Sequence, residues 1–364
     1  MYNLTHLSEA WRIFKRSRYV KKYGVKQYNG DAKEICRQIV KDCWNGRYFQ
    51  VSTGHFCEFY MRDFGFCVDS LIKLGYKEEV KKTLAYCLDI YSKQGLKTTI
   101  TPNGKAVDIF MYSPDSIACL IRSLRAVKAN ELIKQHKDFL IKEIDKFYDK
   151  VIDKETGLVR KDKCFGSMKD EAKRRCSCYD NVMAAMLSNE LNKLKFHNPL
   201  KKYNFKKIIK ENFWTGEYFL NDLCGNKAVT GDSNVFPFWT GVFDDKNMLK
   251  KAIKQIQLNG LDKPFPLRYS HSEDHDHEML FVEIFVWSYE RDTCWMNMGP
   301  LYAQLVKKID KRKANEYINI YTNLIEKYQN FLEVFNPDGT PFKSRFYYAD
   351  EGVLWAANYL TLMF

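Results

Sequence analysis

The sequence lacks the features that mark membrane, fibrous and disordered chains. No apolar run approaches the ~18–20 residues needed to span a bilayer. Only nine prolines and 18 glycines occur in 364 residues, and no Pro-, Ser- or Gly-rich linker divides the chain. Aromatics make up 15%, which excludes collagen-like, low-complexity and disordered classes. A long alternating strand pattern is missing as well. Residues 1–22 alternate basic and aromatic side chains without the apolar stretch of a secretory signal. The expectation is a soluble cytoplasmic protein with no membrane partner.

Eleven cysteines are present, an odd number in a large chain, and most fall within apolar helical patterns. They read as small reduced core residues. Cys176-x-Cys178 has no second pair at zinc-finger spacing. The net charge of +13 comes from 58 Lys+Arg against 45 Asp+Glu. The basic residues are scattered along helix faces, and no nucleic-acid motif accompanies them, so no nucleic-acid partner is expected. A positive surface suggests an anionic sugar as substrate, although surface lysines alone account for the charge.

What is present is helical. Apolar residues recur at three and four spacing over 32–44, 57–74, 80–91, 116–127, 132–148, 181–194, 205–213, 236–242, 247–256, 279–287, 296–307, 314–334 and 353–362. Two near copies of one turn, Trp44-Asn45-Gly46-Arg47-Tyr48-Phe49 and Trp214-Thr215-Gly216-Glu217-Tyr218-Phe219, each close a helix. Residues 153–159 and 336–342 are looser versions. Helix pairs joined by such turns predict an all-α, single-domain (α/α)6 toroid over residues 31–364, with residues 1–30 as an N-terminal extension.

Charges interrupt this pattern where apolar residues are expected. Arg62-Asp63 sits among Phe59, Tyr60, Phe64 and Phe66. A carboxyl among aromatics loses hydration and holds its proton, as a general acid requires; an Arg62–Asp63 ion pair is the structural alternative. Glu333 lies between apolar pairs at the end of the 314–334 helix, suited to activating water or to an ordinary helix end. Glu290, Arg291, Trp295 and Asn297 combine a carboxylate, donors, an aromatic platform and an amide, the groups that bind sugars. Trp295 fits the core equally well. Asp115, Asp180 and Asp232 stand at helix starts, where capping explains each singly. His275 and His277 lie beside carboxylates, but their spacing matches no established ligand motif, and no metal or cofactor is expected.

In this order the segments resemble the six-hairpin glycosidases, nearest the branch of processing α-glucosidases, mannosylglycerate hydrolase and amylo-α-1,6-glucosidase-like proteins, and more distantly neutral invertases. Arg62-Asp63-Phe64 is similar to the motif carrying the general acid. Glu290-Arg291 with Cys294-Trp295-Met296-Asn297 resembles the pocket stretch, with Asp292-Thr293-Cys294 replacing its Gly-Pro. Phe331 to Gly339 resembles the motif carrying the general base, and Glu351 to Leu360 the closing helix. The resemblance implies inverting hydrolysis of a small glycoside or oligosaccharide, with Asp63 as acid and Glu333 as base. Glu351 and Glu290 are the reserve candidates. Arg62, Asp115, Asp180, Arg291, Trp295 and Asn297 would hold the sugar. A sugar epimerase or isomerase on the same barrel, a non-catalytic carbohydrate-binding protein and a helical scaffold are the rivals.

Overall fold

The computed structural model describes residues 4–225, 227–271 and 279–364. Its helices are α1 (Leu4–Tyr23), α2 (Ala32–Cys43), α3 (Met61–Lys73), α4 (Lys77–Gln94), α5 (Asp115–Ala126), α6 (Asn130–Gln135), α7 (Lys137–Val151) and α8 (Cys178–Leu194). They continue as α9 (Phe205–Phe213), α10 (Gly231–Trp239), α11 (Lys246–Leu258), α12 (Leu280–Val286), α13 (Gly299–Lys307), α14 (Lys311–Tyr328) and α15 (Ala356–Leu362). Twelve of them make two concentric rings. The inner ring runs α3, α5, α8, α10, α13, α15 and closes where α15 packs on α3. The outer ring is α2, α4, α7, α9, α11 and α14, each packed on inner helices. This is the (α/α)6 toroid.

The two rings have different sequences for a physical reason. An outer helix touches the protein on one side only. Thus α2 buries Ile35, Cys36, Ile39, Val40 and Cys43 as one stripe. An inner helix is covered all round, and α3 buries every residue from Met61 to Val68. Gly65 lets α3 approach α5, since a Cβ there would lie 2.7 Å from that of Cys119. Eight of the eleven cysteines are buried in this core.

The Trp-x-Gly-x-Tyr-Phe turns form as expected. Trp44 pairs with Phe49 and Trp214 with Phe219 in isolated bridges, and Gly46 and Gly216 take φ of 90° and 103°, where glycine alone carries no steric penalty. Two short antiparallel sheets lie at the rim bearing the inner-helix N-termini. One is β1 (Phe59–Tyr60), β2 (Thr99–Ile100) and β3 (Ala106–Val107); the other is β4 (Cys294–Trp295) and β5 (Val334–Phe335).

Two boundaries near the cavity differ from the periodicity. The 57–74 helix starts only at Met61, because Phe59 and Tyr60 pair with Ile100 and Thr99. The 314–334 helix ends at Tyr328, where Gln329 adopts a left-handed conformation (φ 45°). Glu333 therefore leads into β5 rather than closing a helix. Residues 4–23, set apart as an extension in the sequence, form a helix lying outside both rings. Among the described residues no helix is long and apolar enough to cross a membrane.

Candidate active site

The rim encloses a cavity of about 870 Å³. Its polar end is built from the first turns of inner helices and from the short strands between them. Asp63, in the first turn of α3, is buried and lines the cavity. Arg62 does not pair with it. Instead Arg62 Nε donates to Asp115 Oδ2 at 2.6 Å, and its terminal nitrogens donate to Asp170 at 3.0 Å each. Trp355 Nε1 donates to Asp63 Oδ1 at 3.1 Å. Burial pushes the Asp63 carboxyl up to about 6, against the pull of the neighbouring guanidinium.

Glu333 reaches the same cavity from the residue before β5. Tyr289 donates its hydroxyl to Oε1 at 2.5 Å. Tyr347 and the Asp350 amide donate to Oε2 at 2.6 and 2.9 Å. Burial, and then the nearby Asp350 charge, push Glu333 up to about 8 despite these donors. Behind it, His55 Nε2 lies 3.1 Å from the Tyr347 hydroxyl and His55 Nδ1 lies 3.3 Å from Asp350 Oδ1. A chain of rings joins the two carboxyls: the indole of Trp355 touches Asp63, Trp295 lies 6.5 Å from it, and Tyr289 lies 4.8 Å beyond.

The remaining candidates divide. Glu290, Trp295 and Asn297 line the cavity with Arg62. Each Glu290 oxygen accepts a backbone amide, from Asp170 and Glu171, at 2.9 Å. Burial and the Asp170 charge push it up to about 8. Asn297 Oδ1 is buried with no hydrogen-bond partner among the described residues, an acceptor available to a hydroxyl. Asp115, Asp180, Arg291 and Glu351 are not among the lining residues. Asp115 grips Arg62 and Tyr179. Asp180 is held by Ser167 and Ser177. Arg291 pairs with Glu283 at 3.1 Å and lies over Trp287. Glu351 pairs with Arg16 of α1 and accepts the Lys26 amide.

Several lining residues escaped the sequence pattern: Asp170, Glu171, Tyr289, Tyr347 and a whole face of α1. The polar run Lys169-Asp170-Glu171 was the one available signal for the first two. Eight carboxyl-bearing residues line the cavity against a single Arg or Lys, Arg62. Most of these carboxyls are paired or hold a proton: Asp170 pairs with Arg62, Glu58 with Arg12 and Asp108 with Lys97, while Glu290 and Glu333 are pushed up to about 8. Among the described residues no cluster could hold a metal ion, and His275 and His277 lie outside those residues.

No protein-family model matches the chain, and no curated protein matches its sequence. Solved structures do match in fold. A rhamnosidase from Klebsiella oxytoca with rhamnose bound superposes with a TM-score of 0.61 at 10% identity, over 92% of this chain and 64% of the rhamnosidase. The chain thus spans under two thirds of that protein. A mannosylglycerate hydrolase from Thermus thermophilus, in complex with Tris and D-glycerate, gives 0.63 at 10% identity over 91% and 99%. A glycosidase variant in complex with glucose gives 0.65 at 12% identity over 98% and 97%. At such identities the likeness is one of architecture: this chain has the fold of the six-hairpin glycosidases.

Proposed function

We propose that the protein is a glycoside hydrolase acting by single displacement with inversion, Asp63 being the general acid and Glu333 the general base. The observation that carries this is the placement of two buried carboxyls, 270 residues apart in sequence, in one cavity, each raised toward or above neutrality. Among the described residues Asp63 has one side-chain donor, Trp355 on Oδ1, which leaves Oδ2 to carry a proton to the glycosidic oxygen. Glu333 has three donors on its two oxygens, the surroundings of a group built to carry charge. In the step, water bonds to the anomeric carbon and loses a proton to Glu333. The glycosidic C–O bond breaks, and the leaving oxygen takes the Asp63 proton.

Arg62, held between Asp115 and Asp170, and Asn297 with its unmatched Oδ1 supply polar contacts to sugar hydroxyls. Trp295 supplies a ring wall for a C–H face. Glu290 is assigned to the 170–171 loop, fixing Asp170 against Arg62. The three neighbours named above carry rhamnose, glucose and glycerate in their descriptions, which supports a small carbohydrate as substrate.

A second reading exchanges the roles. Glu333 is raised to about 8 and Asp63 to about 6, and that order by itself favours Glu333 as the proton carrier. An epimerase has weaker support: His6 is the one histidine among the lining residues, and that chemistry relies on a pair. Proton NMR of the protein with α- and β-glycosides tests the proposal. Release of free sugar as the inverted anomer is expected. Retention of configuration, or interconversion at constant mass, would refute it.

A further inference from the structure

Sugar chemistry accounts for only one end of the cavity. At the buried end Arg62, Asp63, Glu290, Asn297 and Glu333 are all 8% exposed or less. At the open end the lining turns apolar: Leu7 is 63% exposed, Trp11 55% and Phe285 50%, with Phe14 and Phe346 half-buried behind them. This reverses the usual gradient, in which polar groups face water and apolar ones are sequestered. Among the described residues, seven of the nine exposed large hydrophobics belong to α1 or to residues 284–287. Three of the nine, Leu7, Trp11 and Phe285, line the cavity, and an exposed apolar patch gathered at its mouth marks a recognition surface rather than scattered ordinary exposure.

Helix α1 builds one wall. Leu7, Ala10, Trp11 and Phe14 line the cavity and share one helical face by their spacing. The wall is continuous: Trp11 and Phe14 rings lie 5.4 Å apart, Phe14 and Phe346 6.1 Å, Phe346 and Phe285 5.3 Å. Polar contacts hold the helix to the rim. Arg12 pairs with Glu58 at 2.5 Å, His6 meets the Asp108 carbonyl at 3.0 Å, and Arg16 pairs with Glu351. The apolar face is thus left to the cavity instead of being consumed in anchoring. At about 870 Å³, the cavity lies toward the upper end of the roughly 300–1,000 Å³ that take drug-sized ligands.

We infer that this open end is an aglycone subsite and that the substrate is a glycoside of an apolar alcohol, aliphatic or aromatic. The sugar sits at the carboxylates and the aglycone lies between α1 and the Phe285–Phe346 pair. This rests on the glycosidase reading.

The test uses octyl and methyl glycosides of glucose, mannose, galactose and rhamnose, both anomers, below the micelle concentration. Both series expel a primary alcohol, so leaving-group reactivity is matched and the ratio of kcat/KM reports the subsite. Each methylene buried is worth about fourfold, so an octyl-over-methyl ratio of about 100-fold is expected for three or four of them. Leu7→Ser and Phe14→Ser, on a helix outside both rings, should each cut that ratio about tenfold. Turnover with a ratio near one would overturn the subsite while leaving the hydrolase standing. So would a preference seen only with micelles, which would indicate docking to a lipid surface. Should no glycoside turn over, the hydrolase reading falls, and titration calorimetry on Asp63→Asn decides the subsite by itself. Octyl glycosides binding at least tenfold tighter than methyl uphold it; equal binding, or none, overturns it.

Discussion

Asp63 and Glu333 meet in one cavity but arrive on different kinds of backbone. Asp63 sits in the first turn of an inner helix, where unpaired amides and the helix dipole favour a carboxylate. One indole reaches it. Glu333 sits on irregular chain between a left-handed helix end at Gln329 and a two-residue strand. No helix helps it, and two phenols and an amide do the work instead. A regular element brings its own field to a buried carboxyl and needs little else. An irregular one needs a built shell of donors to fix the carboxyl in place.

The comparison predicts unequal responses to loss of each carboxyl. Asp63→Asn and Glu333→Gln should each lose about 10³-fold or more in kcat on alkyl glycosides. With glycosyl fluorides, whose leaving group needs no proton, Asp63→Asn should recover most of its turnover and Glu333→Gln none. The opposite pattern would exchange the two roles.

The phenol shell should matter next. Tyr347→Phe removes one donor from Glu333 and should cost about 10- to 100-fold in kcat/KM. The pH profile of kcat/KM in the parent should be bell-shaped with limbs near 6 and 8. Tyr347 pulls the Glu333 carboxyl down, so its loss should move the alkaline limb upward and leave the acid limb in place. An unmoved alkaline limb would detach that limb from Glu333.

Both ends of the comparison contributed differently to what could be read in advance. Outer helices such as α2 showed their stripe plainly, and inner helices showed near-continuous apolar runs broken by first-turn acids. Arg62 and Asp63 were visible for that reason. Glu333 is visible as a charge among Phe331, Leu332, Val334 and Phe335, but its backbone is not, because the apolar pattern runs on past the point where Gln329 breaks the helix. Asp170 and Tyr347 follow no period, and only the closed ring brings them to the site. Helix α1 escaped because it contributes only Ser17 and Val20 to the fully buried set and so lacks a core stripe.

A smaller effect concerns stability. Glu333 has a folded pKa above its ordinary value, so folding favours its protonated form. Its stabilising contribution is present below about pH 4 and is lost as pH rises through about 8. Glu333→Gln should therefore raise Tm by a few degrees at pH 8–9, with the gain fading toward pH 4. An equal shift at all pH values would trace the change to packing rather than charge. A further effect is at α1: Glu351→Gln leaves Arg16 without its charged partner at a site where Glu351 is itself buried and also accepts the Lys26 amide, and it should lower Tm. Loss of octyl selectivity alongside that drop would tie α1 to the open end of the cavity.

The ring closes where α15 packs on α3, and Trp355, just before α15, touches Asp63 across 292 residues. On the ribosome, five of six inner helices can emerge and pair before this contact exists. Loop closure over such a distance comes late and slowly. Asp63 and Glu333 therefore come to share one cavity only late in folding. The cavity that holds both is complete only when the sixth wall shuts.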